Sequence, residues 1–209
     1  MEKLGEKFYR KPTLEMAELL LGKIFVHNAE DGRCYKGRIV ETEAYLAEGD
    51  EACHAFRGMT SRNKVMYGSP GRLYVYFTYG CHNLMNIVTE PEGIAGAVLV
   101  RAVEPLVGLT HMKRNRKVSR TVDLTNGPGK LTRAMAINLT HNAMSLSGET
   151  VYLEEGETLK PDIVCSSKRI GISKGTDLLW RRYVAGSPFV SKSKPGPSPK
   201  KNTALLESR

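Results

Sequence analysis

Residues 37–46, GRIVETEAYL, constrain this chain more than any other stretch: they alternate like a β-strand yet set Glu41 and Glu43 inside an apolar run. In an extended strand alternate side chains share a face. Ile39, Glu41, Glu43 and Tyr45 therefore fall on one side, and Val40, Thr42, Ala44 and Leu46 on the other. The second side is largely apolar and suits a core. The first must meet either water, where glutamates merely solubilise, or a polar cleft, where a carboxylate needs a chemical reason to exist.

General-base catalysis is such a reason, since a carboxylate can deprotonate a water that attacks an electrophilic carbon. Charge suggests what lies nearby. The 209 residues carry a formal net charge of +9, unevenly spread. Residues 1–53 hold 8 Lys/Arg against 11 Asp/Glu, net −3, and residues 54–209 hold 23 against 11, net +12. Such an excess suits a polyanion, because phosphates neutralised by Lys or Arg release counterions, although it also serves solubility. Beside nucleic acid the natural electrophile is a sugar carbon. Glycosidic hydrolysis passes through an oxocarbenium-like transition state that an anion stabilises. Spacing alone leaves the acid and base roles of Glu41 and Glu43 open. Tyr45, Tyr76 and Tyr79 offer stacking faces for an extruded base or an edge that wedges into a duplex. Tyr74 reads as ordinary sheet packing.

Around this strand the sequence predicts an α+β domain with a curved mixed or antiparallel sheet. KPTLEMAELLLGK reads as a helix capped by Thr13, with Leu14, Met16, Ala17, Leu20 and Leu21 on its apolar face and Gly22 ending it. Lys23–Asn28 and Cys34–Leu46 form antiparallel strands joined at Asp31-Gly32. The segment Ala47–Gly71 is expected to be a long surface loop. GRLYVYFTYGCHNLMNIV forms a hairpin with its tip near Tyr79–Asn83. Ala97–Val103 is a buried strand, after which Pro105 opens a helix to about Arg116. Pro128 starts another, with Leu131, Ala134, Met135 and Ile137 on its apolar face. VYLEE, IVCSSKRIGI and RRYVAGSPFVS supply later strands. Residues 1–191 form one domain, and residues 192–209, rich in Pro, Ser and Lys, form a disordered basic tail.

Several classes are excluded or disfavoured. No run approaches the ~18 apolar residues of a membrane helix, and the N-terminus is too charged for a signal peptide. No membrane partner is expected, and the protein reads as cytoplasmic. GxGxxG, P-loop and GxSxG patterns are absent, and GSPGR at 68–72 reads as a turn. Cys34, Cys53, Cys81 and Cys165 lack disulfide spacing and read as reduced thiols. The dipeptides Cys53-His54 and Cys81-His82 match no common zinc spacing, so neither a metal nor another cofactor is expected.

RIVETEAYL, His54, GRLYVYFTYG with MNI, LVRAVEP, NGPGKL and GSPFVS occur in that order from about Leu4 to Ser191, and together they resemble the alkyladenine (3-methyladenine) DNA glycosylase family of mammals and many bacteria. The resemblance implies a monomeric base-excision repair enzyme. Its β-hairpin would insert into the minor groove of double-stranded DNA, and a damaged purine would flip into a pocket for hydrolysis of its N-glycosidic bond. Carried over residue by residue, Glu43 is the general base, Tyr45 and Tyr76 sandwich the flipped base, and His54 lies beside them. Tyr79 intercalates, Asn86 discriminates against a 2-amino group, and Arg101 helps hold the catalytic water, assisted by the backbone carbonyl near Ile170 in KRIGI. Glu41 receives no role. CHNL at 81–84 lacks the aromatic-rich sequence of vertebrate members, and the short N-terminus suggests a bacterial, nucleoid-associated member. A non-catalytic nucleic-acid-binding module is the competing class, and a bifunctional lyase using Lys64 or Lys130 is a second alternative.

Overall fold

A computed structural model describes residues 2–78 and 80–191. Tyr79 and the predicted tail at 192–209 lie outside the described residues. Eight strands form one curled sheet in the order β3 (Leu73–Thr78), β4 (His82–Val88), β5 (Gly96–Val107), β2 (Cys34–Leu46), β1 (Ile24–Asn28) and β6 (Val151–Glu154). β8 (Arg181–Val184) pairs with β2 and with β7 (Val164–Ser167). Every paired neighbour is antiparallel, which resolves the mixed-or-antiparallel expectation.

β2 organises the sheet. One edge runs along β5 from Lys36 to Leu46, while the other is shared, β1 pairing with residues 34–38 and β8 with residues 41–43. Its second half thus has strand neighbours on both edges. Helix α1 (Thr13–Leu19) covers it, the Thr42 hydroxyl donating to the Ala17 carbonyl at 2.6 Å. Helices α2 (Leu109–Arg116) and α3 (Pro128–Ala134) pack together on the core, which gathers Met16, Leu20, Ile39, Met112 and Leu131. Among the described residues no helix is long and apolar enough to cross a membrane.

Four local expectations are corrected. Thr13 is the first residue of α1, not its cap. Its N–H and hydroxyl both reach the Glu90 carboxylate at 2.7 Å, so a distant acid satisfies the helix end, and Leu14 on the expected apolar face is 36% exposed. Pro105 lies within β5, opposite Gly37 at a register shift. A missing N–H is tolerated at such a bulge. Helix α2 starts only after Gly108, whose φ of +86° and close approach to the Cys34 carbonyl demand glycine. The segment 47–71 is not purely surface: Cys53, Ala55 and Met66 bury into a second small core with Tyr74, Val88 and Ala97. Finally, Ile39 does not share the glutamate face. Ile39 pairs with Val103 and Glu41 with Ala102, so Val40 is an extra residue that reverses the alternation. Ile39 joins Ala44 in the main core.

Two histidines tie the far edge together. His27 Nδ1 lies 2.7 Å from the Met135 carbonyl, so it must donate there. His27 Nε2 then accepts from His141 Nε2 at 3.0 Å, and His141 Nδ1 accepts the Asn138 N–H at 3.2 Å. Neutral rings satisfy every contact of this chain. Burial holds both histidines below their ordinary range, although Asp31 and Glu30 favour the charged forms. A histidine depressed in the folded state contributes its full stability above the unfolded value of ~6.5 and loses it as pH falls below that. The denaturation midpoint of the protein is therefore expected to drop between about pH 7.5 and about pH 5.5, and to drop less in a His27→Gln variant. Equal slopes would refute the coupling.

Candidate active site

Glu43 lies in the second half of β2 and is fully buried. Its Oε1 accepts the Ile170 N–H at 2.7 Å. Its Oε2 accepts the Tyr45 hydroxyl at 2.8 Å and Arg101 Nη1 at 3.1 Å. Arg101 is aimed by β5, where it has no register partner on β2 between Val100 and Ala102. A bulge of this kind re-aims a side chain. Burial raises the Glu43 carboxyl above the usual carboxylate range, against the opposing pull of Arg101, the Ile170 N–H and Tyr45. Burial and the neighbouring Glu43 likewise push the Tyr45 phenol far up, so it stays a donor.

In front of Glu43 lies a cavity of about 420 Å³. Its walls include Tyr45, His54, Tyr76, Asn86, Arg101 and Ile170. These are six of the eight residues singled out from sequence. Glu43 stands behind them, since Tyr45, Arg101 and Ile170 each bond it and also line the cavity. Tyr79 cannot be placed. Ile170 donates its N–H to Glu43, a contact the resemblance did not point to.

The aromatic wall is built on β3 and the loop before it. The His54 ring sits edge-on to Tyr76, centroids 4.5 Å apart, and its Nδ1 is 2.9 Å from the Tyr74 hydroxyl. Tyr74 therefore does more than fill the sheet. Burial, with Arg62 nearby, depresses the His54 pKa and keeps the ring neutral. Asn63, nearly fully buried, fixes the loop by donating to the carbonyls of His54 at 2.8 Å and Gly58 at 3.0 Å. Arg62 lies over the Tyr76 ring and donates to the Phe77 carbonyl. Asn86, opposite Tyr74 in the β3–β4 ladder, donates to the Tyr74 carbonyl at 3.1 Å. One of its two amide N–H groups is thus engaged, and the second N–H and the oxygen remain.

Two buried ion networks brace this wall, and sequence reasoning found neither. Arg169 forks onto Asp50 with two contacts of 2.6 Å, donates to the Ala44 carbonyl, and stacks 4.5 Å from the Tyr45 ring centroid. That pair anchors the segment carrying Ile170 to the loop carrying His54. Behind Glu43, Glu41 Oε1 receives Arg101 Nε at 2.9 Å, Arg181 Nε at 2.7 Å and the Ser191 hydroxyl at 2.7 Å, while Oε2 receives the Ser191 N–H at 2.6 Å. Burial would raise the Glu41 carboxyl, but Arg101, Arg181 and Ser191 outweigh it and hold it below the usual range. Three of the four donors to Glu41 crowd onto Oε1, and two of its three partners, Arg181 and Ser191, are outside the cavity wall, whereas all three donors to Glu43 come from residues that line the cavity.

No group of three or more His, Cys, Asp or Glu side chains gathers as a metal site among the described residues.

A family model described as methylpurine-DNA glycosylase (MPG) matches residues 7–188. Curated proteins bearing the name "Putative 3-methyladenine DNA glycosylase" align over nearly their whole length. One from Chlorobium phaeobacteroides (strain BS1) is 73% identical over 196 residues, covering 94% of this chain and 98% of the relative. One from Prosthecochloris aestuarii is 58% identical over 208 residues, 100% of each. One from Salinibacter ruber is 46% identical over 205 residues, 93% of this chain and 99% of the relative.

Removing one member of a fully buried ion pair leaves the other charge uncompensated. Asp50→Asn is therefore expected to cost about 3–5 kcal/mol of stability, read from chemical denaturation. A loss within ~0.5 kcal/mol, the size of a surface substitution, would show that Asp50 does not carry the Arg169 charge.

Proposed function

The chain belongs to the methylpurine-DNA glycosylase family, and from that premise we propose that it flips alkylated purines out of duplex DNA and releases them by hydrolysis, with Glu43 activating the water. The observation that carries the assignment is the contrast between the two glutamates. Glu41 is held mainly from Arg181 and Ser191, which do not line the cavity, whereas Glu43 is held by three groups that all line it.

The flipped base occupies the cavity against Tyr45, Tyr76 and His54. A 3- or 7-alkylated purine is cationic, and aromatic faces attract a cation more strongly than a neutral ring. The same charge makes it a good leaving group. Water attacks C1′ as the C1′–N bond breaks, and the proton passes to Glu43. The electrons of the broken bond neutralise the departing base. An abasic site and a free purine result. The carboxylate also stabilises the positive charge that develops on the sugar. Hypoxanthine is neutral and would need protonation as it leaves, so alkylated purines are the preferred class.

The partner is double-stranded DNA bound by a monomer, and the setting is the bacterial cytoplasm with its nucleoid. Near the aromatic wall, the loop and β3 expose Phe56, Arg57, Met59, Arg62 and Phe77, a mixture of apolar and cationic groups suited to a groove and its phosphates. Tyr79, between β3 and β4, is the wedge that fills the space left by the base. Water is the nucleophile. The lysines that would make a lyase, Lys64 and Lys130, are exposed and outside the cavity wall.

Duplexes carrying 3-methyladenine or 7-methylguanine are expected to yield free base with no borohydride-trapped adduct. Glu43→Gln is expected to slow release ~10²–10⁴-fold, the usual size of a general-base contribution, while lesion binding persists. Full activity in that variant would refute the role of Glu43. Binding without any release by the wild type would point to a non-catalytic module. Tyr79→Ala is expected to weaken binding to lesion duplexes without changing the melting curve, and unchanged affinity would remove Tyr79 from the interface.

A further inference from the structure

We propose that Glu41 is a positioning residue for the catalytic base: it engages the charges of Arg101 and Arg181, so that Glu43 faces a single guanidinium N–H and retains the basicity needed to take a proton from water. This rests on the glycosylase reading above.

Geometry carries the argument. Arg101 is divided between the two carboxylates, giving Nε to Glu41 and Nη1 to Glu43. Arg181 approaches from β8, whose backbone pairs with β2 at Glu41 and Glu43, yet its Nε goes to Glu41. Ser191 completes the arrangement by donating both N–H and hydroxyl to Glu41, so the end of the described chain closes over the network. Glu41, Arg101 and Arg181 are each at most 6% exposed, and water does little to screen them.

The groups facing Glu43 come from four directions. Tyr45 and Glu41 share its strand, Arg101 comes from β5, the Ile170 N–H and the Arg169 guanidinium follow β7, and Arg181 lies on β8 beyond Glu41. Asp50 already neutralises Arg169. If Glu41 lost its charge, Arg101 and Arg181 would have Glu43 as their nearest buried carboxylate. Two cations on one carboxylate lower its proton affinity, and a weaker base accepts a proton from water more slowly. Of the three residues bonded to Glu41 only Arg101 lines the cavity, so the effect of Glu41 passes through Arg101.

The test is the pH dependence of single-turnover base release from a duplex with one 7-methylguanine. Glu41→Gln is expected to move the acid limb down by ~1 pH unit and lower the plateau rate ~10-fold, with duplex affinity unchanged. Arg181→Met is expected to move the limb upward, because Arg101 then shifts toward Glu41. The double variant, which restores charge balance, is expected to return the limb toward wild type. Should Glu41→Gln fail to fold, Arg181→Met and the double variant carry the same test. Altered melting with unmoved limbs in an active enzyme would make Glu41 merely structural and overturn this inference alone. A wild type that releases no base would overturn the glycosylase reading and this inference with it.

Discussion

Everything around the cavity depends on a charge balance in the interior. Glu41, Glu43 and Asp50 are buried with Arg101, Arg169 and Arg181, three carboxylates against three guanidiniums. Desolvating any one of these ions alone would cost several kcal/mol. Together the costs are offset by short, mostly charge-assisted contacts and by the Ser191, Tyr45 and Ile170 donors. The balance offsets the cost of placing an ionised carboxylate in a fully buried position, and the cluster is neutral as a whole.

The fold exists around that cluster in a specific way. β2 has to be buried on both edges where the glutamates lie, and the handover from β1 to β8 achieves this. The bulges at Val40 and Arg101 then turn one face of the strand pair toward the cavity and keep Ile39 in the core. The segment at 47–71 has its own small core and an internal clasp at Asn63, so His54 is held on a braced loop. The site is preorganised in the sense that donors already in place need not reorganise if charge develops in the cavity.

Local pattern made much of the fold legible and only part of the site. Two strands joined at Asp31-Gly32, the strand pair flanking Tyr79 and the helix opening at Pro128 follow from turn chemistry and alternation, and the structure contains them. Pro105 misled because its missing N–H suits a bulge as well as a helix start. Thr13 misled because its partner, Glu90, is 77 residues away. Alternation grouped Glu41, Glu43 and Tyr45 correctly but left the two glutamates equivalent. What separates them is supplied from Arg101, Arg181 and Ser191, 60, 140 and 150 residues from Glu41. Asp50 and Arg169 are 119 residues apart and carry no local signature. Interactions closed by tertiary structure leave no trace in a periodicity, so Arg169, Arg181 and Ser191 emerged only from coordinates.

The central claim is that Glu43 is an anion at neutral pH despite complete burial, and its ionisation can be observed directly. In protein labelled with ¹³C at the glutamate side-chain carboxyls, with Glu43→Gln assigning the resonance, burial is expected to make the Glu43 signal titrate above the ordinary glutamate range while the carboxylate form is still seen at neutral pH. A carboxyl that remains protonated through neutral pH would contradict the account, because no acceptor would then be ready for the proton of the attacking water.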